Sequence, residues 1–579
     1  MSGGNPAAGG SAAGGEGGAA VLERLSGEFF EVVHSTDPLT ATQLGVPGFD
    51  ALLPDPSRAG AARGAQRIAA IEAQLAGVDP AALSAADQTG HAVLGHLAAG
   101  ARADLEHGLW EANASAAGYV SPAAMVFQSV PTAPLTSPEA VADYLTRLRG
   151  LRGYFEAVTR RYGEARRDGR VPARVCVQQA IDQLEGHLRR DVLDDVLVAV
   201  ALPPSVDEAA VRDDAAVIVG GEVRPALRRL LACLEEELLP AARPDERVGI
   251  SFVPGGPEGY RAAVARHTTT SLPPEEIHQV GLDTLDELAA EWAELGGRVL
   301  GVTEVPDILA RLRTDPRLRF ADSAQIVATV TGALARAEAA RDDWFPPLDV
   351  PGCVIEEIDP VEAGNAPLAY YRPPGAGGLR PGAHCVLTTR PGERFSYEYE
   401  ALAFHESSPG HHLQISSAQA LPGLPDYRRF LDAEVCGYVE GWGLYCERLA
   451  DEMGLYTSDL QRLGMLSFDA LRACRLVVDT GMHYYGWSRS QAADFMWRNT
   501  ATTQSNVANE IDRYIAWPGQ ALSYMIGRRE IRRLREWAAR ELGGRFDIRG
   551  FHGTVLGSGA VPLSVLDQLV SAWVGGQQR

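Results

Sequence analysis

Residues 403–414, AFHESSPGHHLQ, place three histidines and one glutamate within eight residues and set a proline among them. His405 is followed at once by Glu406, then by Pro409, Gly410, His411 and His412. On a regular helix, side chains four apart share a face. His411, six positions beyond His405, points well away from it. His412, seven beyond, lies on the same face but about 10 Å along the axis. Neither can share one small cation with His405 on an unbroken helix. Pro409 cannot donate to the carbonyl of His405, and its ring clashes with that carbonyl. Gly410 tolerates the irregular backbone that results. The spacing therefore predicts a kink or bulge at 408–410 that returns a histidine toward His405. The alternative is a kinked core helix with solvated histidines.

The His-Glu start matches the first half of H-E-x-x-H, in which two histidines bind zinc and the glutamate is the general base. Such a centre needs a third ligand. Residues 434–453, EVCGYVEGWGLYCERLADEM, have apolar side chains at helical spacing through Val439, Trp442, Leu444, Tyr445 and Leu449. Glu440 and Glu447, seven apart, lie on one face of that helix. A carboxylate in so apolar a stretch is costly unless paired or bound to a cation. We expect Glu440 as the third ligand and Glu447 behind it, holding a ligating histidine in its tautomer. Glu434 competes for the ligand position.

The two motifs, with EGYRAAVARHTTTSLPPEEIHQVGL (258–282), APLAYYRPP (366–374), VVDTGMHYYGW (477–487), IDRYIAWPGQALSYMIG (511–527) and FHGTVLGSGAVPLSVL (551–566), resemble family 885 of the domains of unknown function, a metallopeptidase-like bacterial group. The resemblance is strong from about residue 250 to the end. It implies a mostly helical, zincin-like fold with a zinc site. The Gly-His pair of related zinc peptidases favours His411 as the second histidine ligand, which leaves His412 to hydrogen-bond substrate, though the two roles are exchangeable. Where the family usually reads YKIG, this chain has Tyr524, Met525, Ile526 and Gly527. Any grip by that lysine on a substrate carboxylate is lost or moved, with Arg513 the candidate to replace it.

All 53 basic residues are arginine. Without lysine there is no Schiff base to a cofactor, no P-loop lysine and no kinase β3 lysine. The net charge of −22 argues against nucleic acid and anionic membrane as partners. Seven cysteines are dispersed without a CxxC, which points to reduced thiols and a cytoplasmic setting. Residues 1–20 are Gly- and Ala-rich and read as a flexible tail, not a secretory signal. No apolar run is long enough to span a membrane.

The fold class expected is mainly α: a large, two-lobed, helical zincin-like metallopeptidase fold with a small antiparallel β unit beside the active-site cleft. Residues 21–345 read as a helical N-terminal lobe, with amphipathic helices at 137–167, 223–239, 274–297 and 322–343. Residues 346–579 read as the catalytic lobe. Its β unit, 346–391, consists of short strands divided by Pro/Gly turns. Tyr370 and Tyr371 are candidates for lining a strand edge that pairs with an extended substrate.

Three ligands on a zinc ion leave a position for water, and Glu406 can take its proton as it attacks a carbonyl. The oxyanion then needs donors. Tyr524 ranks first, ahead of Tyr514, His483, His552 and Arg513. We take Glu406 and Tyr524 as catalytic, and His405, His411 and Glu440 as metal ligands. His412, Arg513, Tyr371 and Tyr514 are expected to bind substrate, and Glu447, His483 and His552 to support the ligands from behind. The expected activity is zinc-dependent cleavage of an amide in a short peptide or aminoacyl conjugate. The alternatives are a biosynthetic or detoxifying amidohydrolase on a peptide-like metabolite, and a metal-bound protein that only binds.

Overall fold

The computed structural model describes residues 17–117, 120–358, 367–375 and 380–579. Most of the expected tail lies outside them, and a helix at Gly18–Thr36 already begins within its last residues. Helices dominate the described chain. The start signals act as their chemistry requires. The Ser137 side chain accepts the Ala140 N–H and a proline opens Pro138–Arg167. Asp322 caps Ser323–Trp344 in the same way. The helix expected over 223–239 is not regular. Arg224–Ala232 gives way to a π-helical stretch, Cys233–Leu238. Leu227, Leu230, Leu234 and Leu238 all reach one core across that change of pitch.

The elements that frame the site are α1 (Pro274–Leu300), α2 (Ser323–Trp344), α3 (Tyr399–Glu406), α4 (His411–Ala420), α5 (Cys436–Glu452), α6 (Asp459–His483), α7 (Gln504–Ala516) and α8 (Ser523–Leu542). One core joins Leu25, Phe29 and Leu94 from the first hundred residues to Trp442, Met525 and Phe551 near the end of the chain. Burying apolar surface of this kind is the main favourable term in folding. Helix α6 is buried along nearly its whole length and packs against α1. Helices α5 and α8 cross at two glycines, where a Cβ added to Gly441 would lie 2.5 Å from the Gly527 Cα. Only paired glycines allow so close a crossing, and it sets Tyr524 of α8 beside Glu440 of α5.

Three short strands, β1 (Val354–Glu357), β2 (Ala369–Arg372) and β3 (Ala383–Val386), form a sheet in the order β1-β3-β2. The expectation of an antiparallel unit is corrected: β2 pairs antiparallel with β3, but β1 pairs parallel with it. The chain leaves β1, lays down β2 two positions away and returns β3 between them, an order that the Pro/Gly punctuation of the sequence does not encode. Tyr371 stands opposite His384, and β2 is an edge strand. Among the described residues, no helix is long and apolar enough to cross a membrane.

Candidate metal centre

Helix α3 is buried from Tyr399 to His405 and ends at Glu406. Ser407 leaves helical geometry at φ −111° and ψ −126°. Pro409 follows a cis peptide bond, and Gly410 adopts φ −76° and ψ −130° before α4 opens at His411. A Cβ on Gly410 would overlap the His405 carbonyl, so glycine is required there. This break brings the His405 and His411 rings to a centroid separation of 4.7 Å at 84° to each other. Helix α5 fastens the break from behind. The Trp442 indole N–H donates to the Pro409 carbonyl at 3.0 Å, and the Cys446 thiol reaches the same oxygen at 3.3 Å.

Glu440 of α5 completes the group. Its Oε2 lies 3.7 Å from His405 Nε2 and 3.4 Å from His411 Nε2. The ligand atoms of His405, His411 and Glu440 all fall within 4.8 Å of one another. Donors at zinc-ligand bond lengths around a tetrahedral ion are about 3.4 Å apart. Space for the ion comes from Gly443, where a Cβ would sit 2.8 Å from His405 Nε2. Glu440 Oε2 is buried and faces only the two imidazole nitrogens, neither at close hydrogen-bond geometry. An acceptor in that position is costly unless a cation meets it, so the donor set fits a metal ion.

Glu447, fully buried, lies 2.8 Å from His405 Nδ1. That contact fixes the tautomer and leaves Nε2 toward Glu440. Burial works against a charged imidazole at His405, but Glu440 and Glu447 outweigh it and push its pKa up to about 9. Burial likewise works against ionisation of Glu440, and the two histidines overcome it, holding its carboxyl well below the usual range. The two shifts are reciprocal: the carboxylates favour positive charge on His405, and the imidazoles favour negative charge on Glu440.

Glu406 is not in the ligand group. Its Oε2 accepts the main-chain N–H of Tyr371 at 2.9 Å, and burial raises its pKa. Tyr524 neighbours His405, its ring nearly parallel to the imidazole at 6.2 Å. Burial, with the Glu440 charge acting the same way, pushes its hydroxyl up to about 12. No protein group among the described residues hydrogen-bonds that hydroxyl.

Other expected site residues are engaged elsewhere. His412 lies within hydrogen-bond range of the Tyr371 hydroxyl at 3.0 Å through Nδ1 and donates to the Pro351 carbonyl at 2.7 Å. With both nitrogens used, it anchors Tyr371 rather than a substrate. Tyr514 is 1% exposed; its hydroxyl donates to Glu510 and accepts from Arg475 at 2.7 Å, so nothing is left for a substrate. His483 accepts the Ile250 N–H at 3.0 Å and donates to the Tyr514 carbonyl at 2.9 Å. His552 donates to the Trp344 carbonyl at 2.8 Å and meets the Tyr445 hydroxyl at 2.9 Å. Neither touches a ligand, because each is spent bracing packed segments. Glu434 pairs with Arg266 and stands outside the ligand group. Met525 is fully buried in the apolar core, so a lysine's task is not simply vacated at that position. Arg513 is half-buried on α7, with NH1 donating to Gln520 at 3.2 Å.

Sequence reasoning missed Arg472 and Arg475 on α6. Arg472 reaches Glu447 at 3.4 Å, and Arg475 donates to Glu510 at 2.8 Å. The signal was present: two arginines three apart in the apolar run LRACRLVV, which only a buried charge network would keep.

Residues 38–570 match a family described as bacterial protein of unknown function (DUF885). A search of curated proteins finds no match. Among solved structures, the chain is similar to a "putative lipoprotein" from Colwellia psychrerythraea, at 26% identity and TM-score 0.88, over 97% of this chain and 100% of that one. It is also similar to a "putative lipoprotein of unknown function" from Shewanella oneidensis, at 19% identity and TM-score 0.72, over 95% of this chain and 99% of that one, a likeness of fold alone.

Proposed function

The chain belongs to the DUF885 family of bacterial proteins, whose description assigns no reaction, and from its own residues we propose a zinc-dependent, zincin-like hydrolase that cleaves an amide in a short peptide or aminoacyl conjugate. The observation that carries this reading is the convergence of His405, His411 and Glu440 beside an unliganded Glu406. Two imidazoles and a carboxylate suit zinc in a catalytic setting. A zinc ion held there would supply Lewis acidity toward the carbonyl and acidify water in its reach.

The protein's own groups do the rest. Glu406, with its pKa raised by burial, accepts the proton of the attacking water and returns it to the leaving amine. The Tyr371 N–H fixes which way that carboxylate points. Tyr371 and Ala369 alternate with the residues of β2 that bond β3; the Tyr371 N–H is spent on Glu406, and the Ala369 main-chain groups face the same outer edge. That edge can hold an extended substrate by main-chain pairing. Tyr524 stays protonated at neutral pH and donates to the oxyanion.

Seven free cysteines are compatible with a reducing, cytoplasmic compartment. The names of the structural relatives favour a membrane-anchored alternative, which fractionation of native cells decides. The hydrolase reading is tested by metal analysis of the purified protein together with a cleavage screen from dipeptides to octapeptides. Zinc at one per chain and cleavage that chelator abolishes are expected. No hydrolysis by zinc-loaded protein would refute it.

A further inference from the structure

Helices α6 and α7 bring two arginines to one acid. Glu510 Oε2 lies 2.8 Å from Arg475 NH2 and 3.7 Å from Arg513 NH2. The Tyr514 hydroxyl also donates to Glu510. Two guanidiniums therefore share one carboxylate directly; the next acid, Asp479, acts on Arg513 without touching it and is itself spent on Tyr260 and Gly519, so positive charge remains where Arg475 is only 6% exposed. Arg475 NH1 and Arg513 Nε are buried without partners. Such a charge is costly unless an anion meets it. Arg472, nearby, offers no relief, because it is another cation and its acid, Glu447, already serves His405.

The cluster adjoins the metal ligands through one ring. The Arg475 guanidinium stands 4.4 Å from the Tyr524 ring centre, and the His405 imidazole 6.2 Å from it. We propose that Arg513, with the excess charge of Arg475 behind it, forms an anion subsite that takes a free carboxylate of the substrate. Arg513 meets the ligand because its side chain keeps 25% exposure. Its planar fork can grip a carboxylate through two N–H groups. The span from Arg475 across the Tyr524 ring to His405, with Arg513 on the same carboxylate as Arg475, corresponds to roughly three residues of extended chain. The substrate class is then short peptides or N-acyl amino acids that end in a free acid close to the scissile amide. This deepens the hydrolase reading and rests on it.

The test uses the full chain carrying Glu406→Gln, loaded with zinc, and calorimetric titration of acetyl-Ala-Ala as free acid and as C-terminal amide. The acid should bind at least tenfold tighter. Arg513→Gln should erase the difference, and Arg513→Lys should restore part of it. Equal binding of acid and amide, including no binding of either, overturns the subsite. The two readings fail separately. A protein that prefers the acid but whose Glu406 form hydrolyses no peptide keeps the subsite and loses the hydrolase. One that cleaves acids and amides with equal kcat/KM keeps the hydrolase and loses the subsite.

Discussion

The main-chain N–H of Tyr371 donates to Glu406 Oε2 across 2.9 Å, so the candidate base is steered by the strand that would also hold the substrate. Glutamine keeps an oxygen to accept that N–H but cannot accept a proton. Glu406→Gln should therefore retain fold and metal and lose turnover by about 10²–10⁴-fold. Metal content and kcat on the best peptide of the screen give the answer. Retained turnover would remove Glu406 from the mechanism.

Glu440 and Glu434 test the ligand assignment against each other. Glu440→Gln should release the metal, since its Oε2 faces both imidazoles. Glu434→Gln should leave the metal in place and break only the contact with Arg266. Metal analysis after dialysis distinguishes them, and the reverse pattern would show the assignment to be wrong.

Glu447 would act on a bound metal only through His405. Its replacement by alanine removes the 2.8 Å contact at Nδ1 and frees the imidazole to turn. A loss of about 10–100-fold in zinc affinity is expected, read by competition with a chelating dye. Affinity equal to wild type would mean that packing alone orients the ring.

Asp479 supplies a pH dependence. It accepts the Tyr260 hydroxyl at 2.7 Å and the Gly519 N–H, which fixes the turn leading into Gln520 and Tyr524. Burial raises its pKa from 3.8 to about 7, against the pull of those hydrogen bonds. For an acid with a raised folded pKa, the folded state binds more protons than the unfolded, so stability falls as pH rises between the two values. Asp479→Asn should remove that slope. Its Tm relative to wild type should climb from pH 4 to pH 7 and level off above. A difference independent of pH would mean that Asp479 is ionised throughout.

Much of the centre was legible because its chemistry is local. Pro409 and Gly410 announced the break between His405 and His411, and Glu440 stood out as a carboxylate in an apolar helix. What lay hidden was non-local. Nothing in the sequence tells that His412, His483 and His552 spend both ring nitrogens on distant carbonyls, hydroxyls or amides. Nor does the order of three short strands follow from their composition, and so a mixed sheet read as an antiparallel one. The role of Gly441 and Gly527 depends on two helices meeting, which neither segment records alone.

Because the Pro409 carbonyl is held by Trp442 and Cys446, the turn that joins the two histidines is closed by α5, the helix that carries Glu440. His405 is held by Glu447, and the backbone between the two histidines by Trp442 and Cys446, contacts that need no ion. A cation entering here is a guest in a finished socket, not the keystone of the fold. Stripping it should leave the far-ultraviolet spectrum unchanged, and reloading should be limited by diffusion and proton release rather than by refolding.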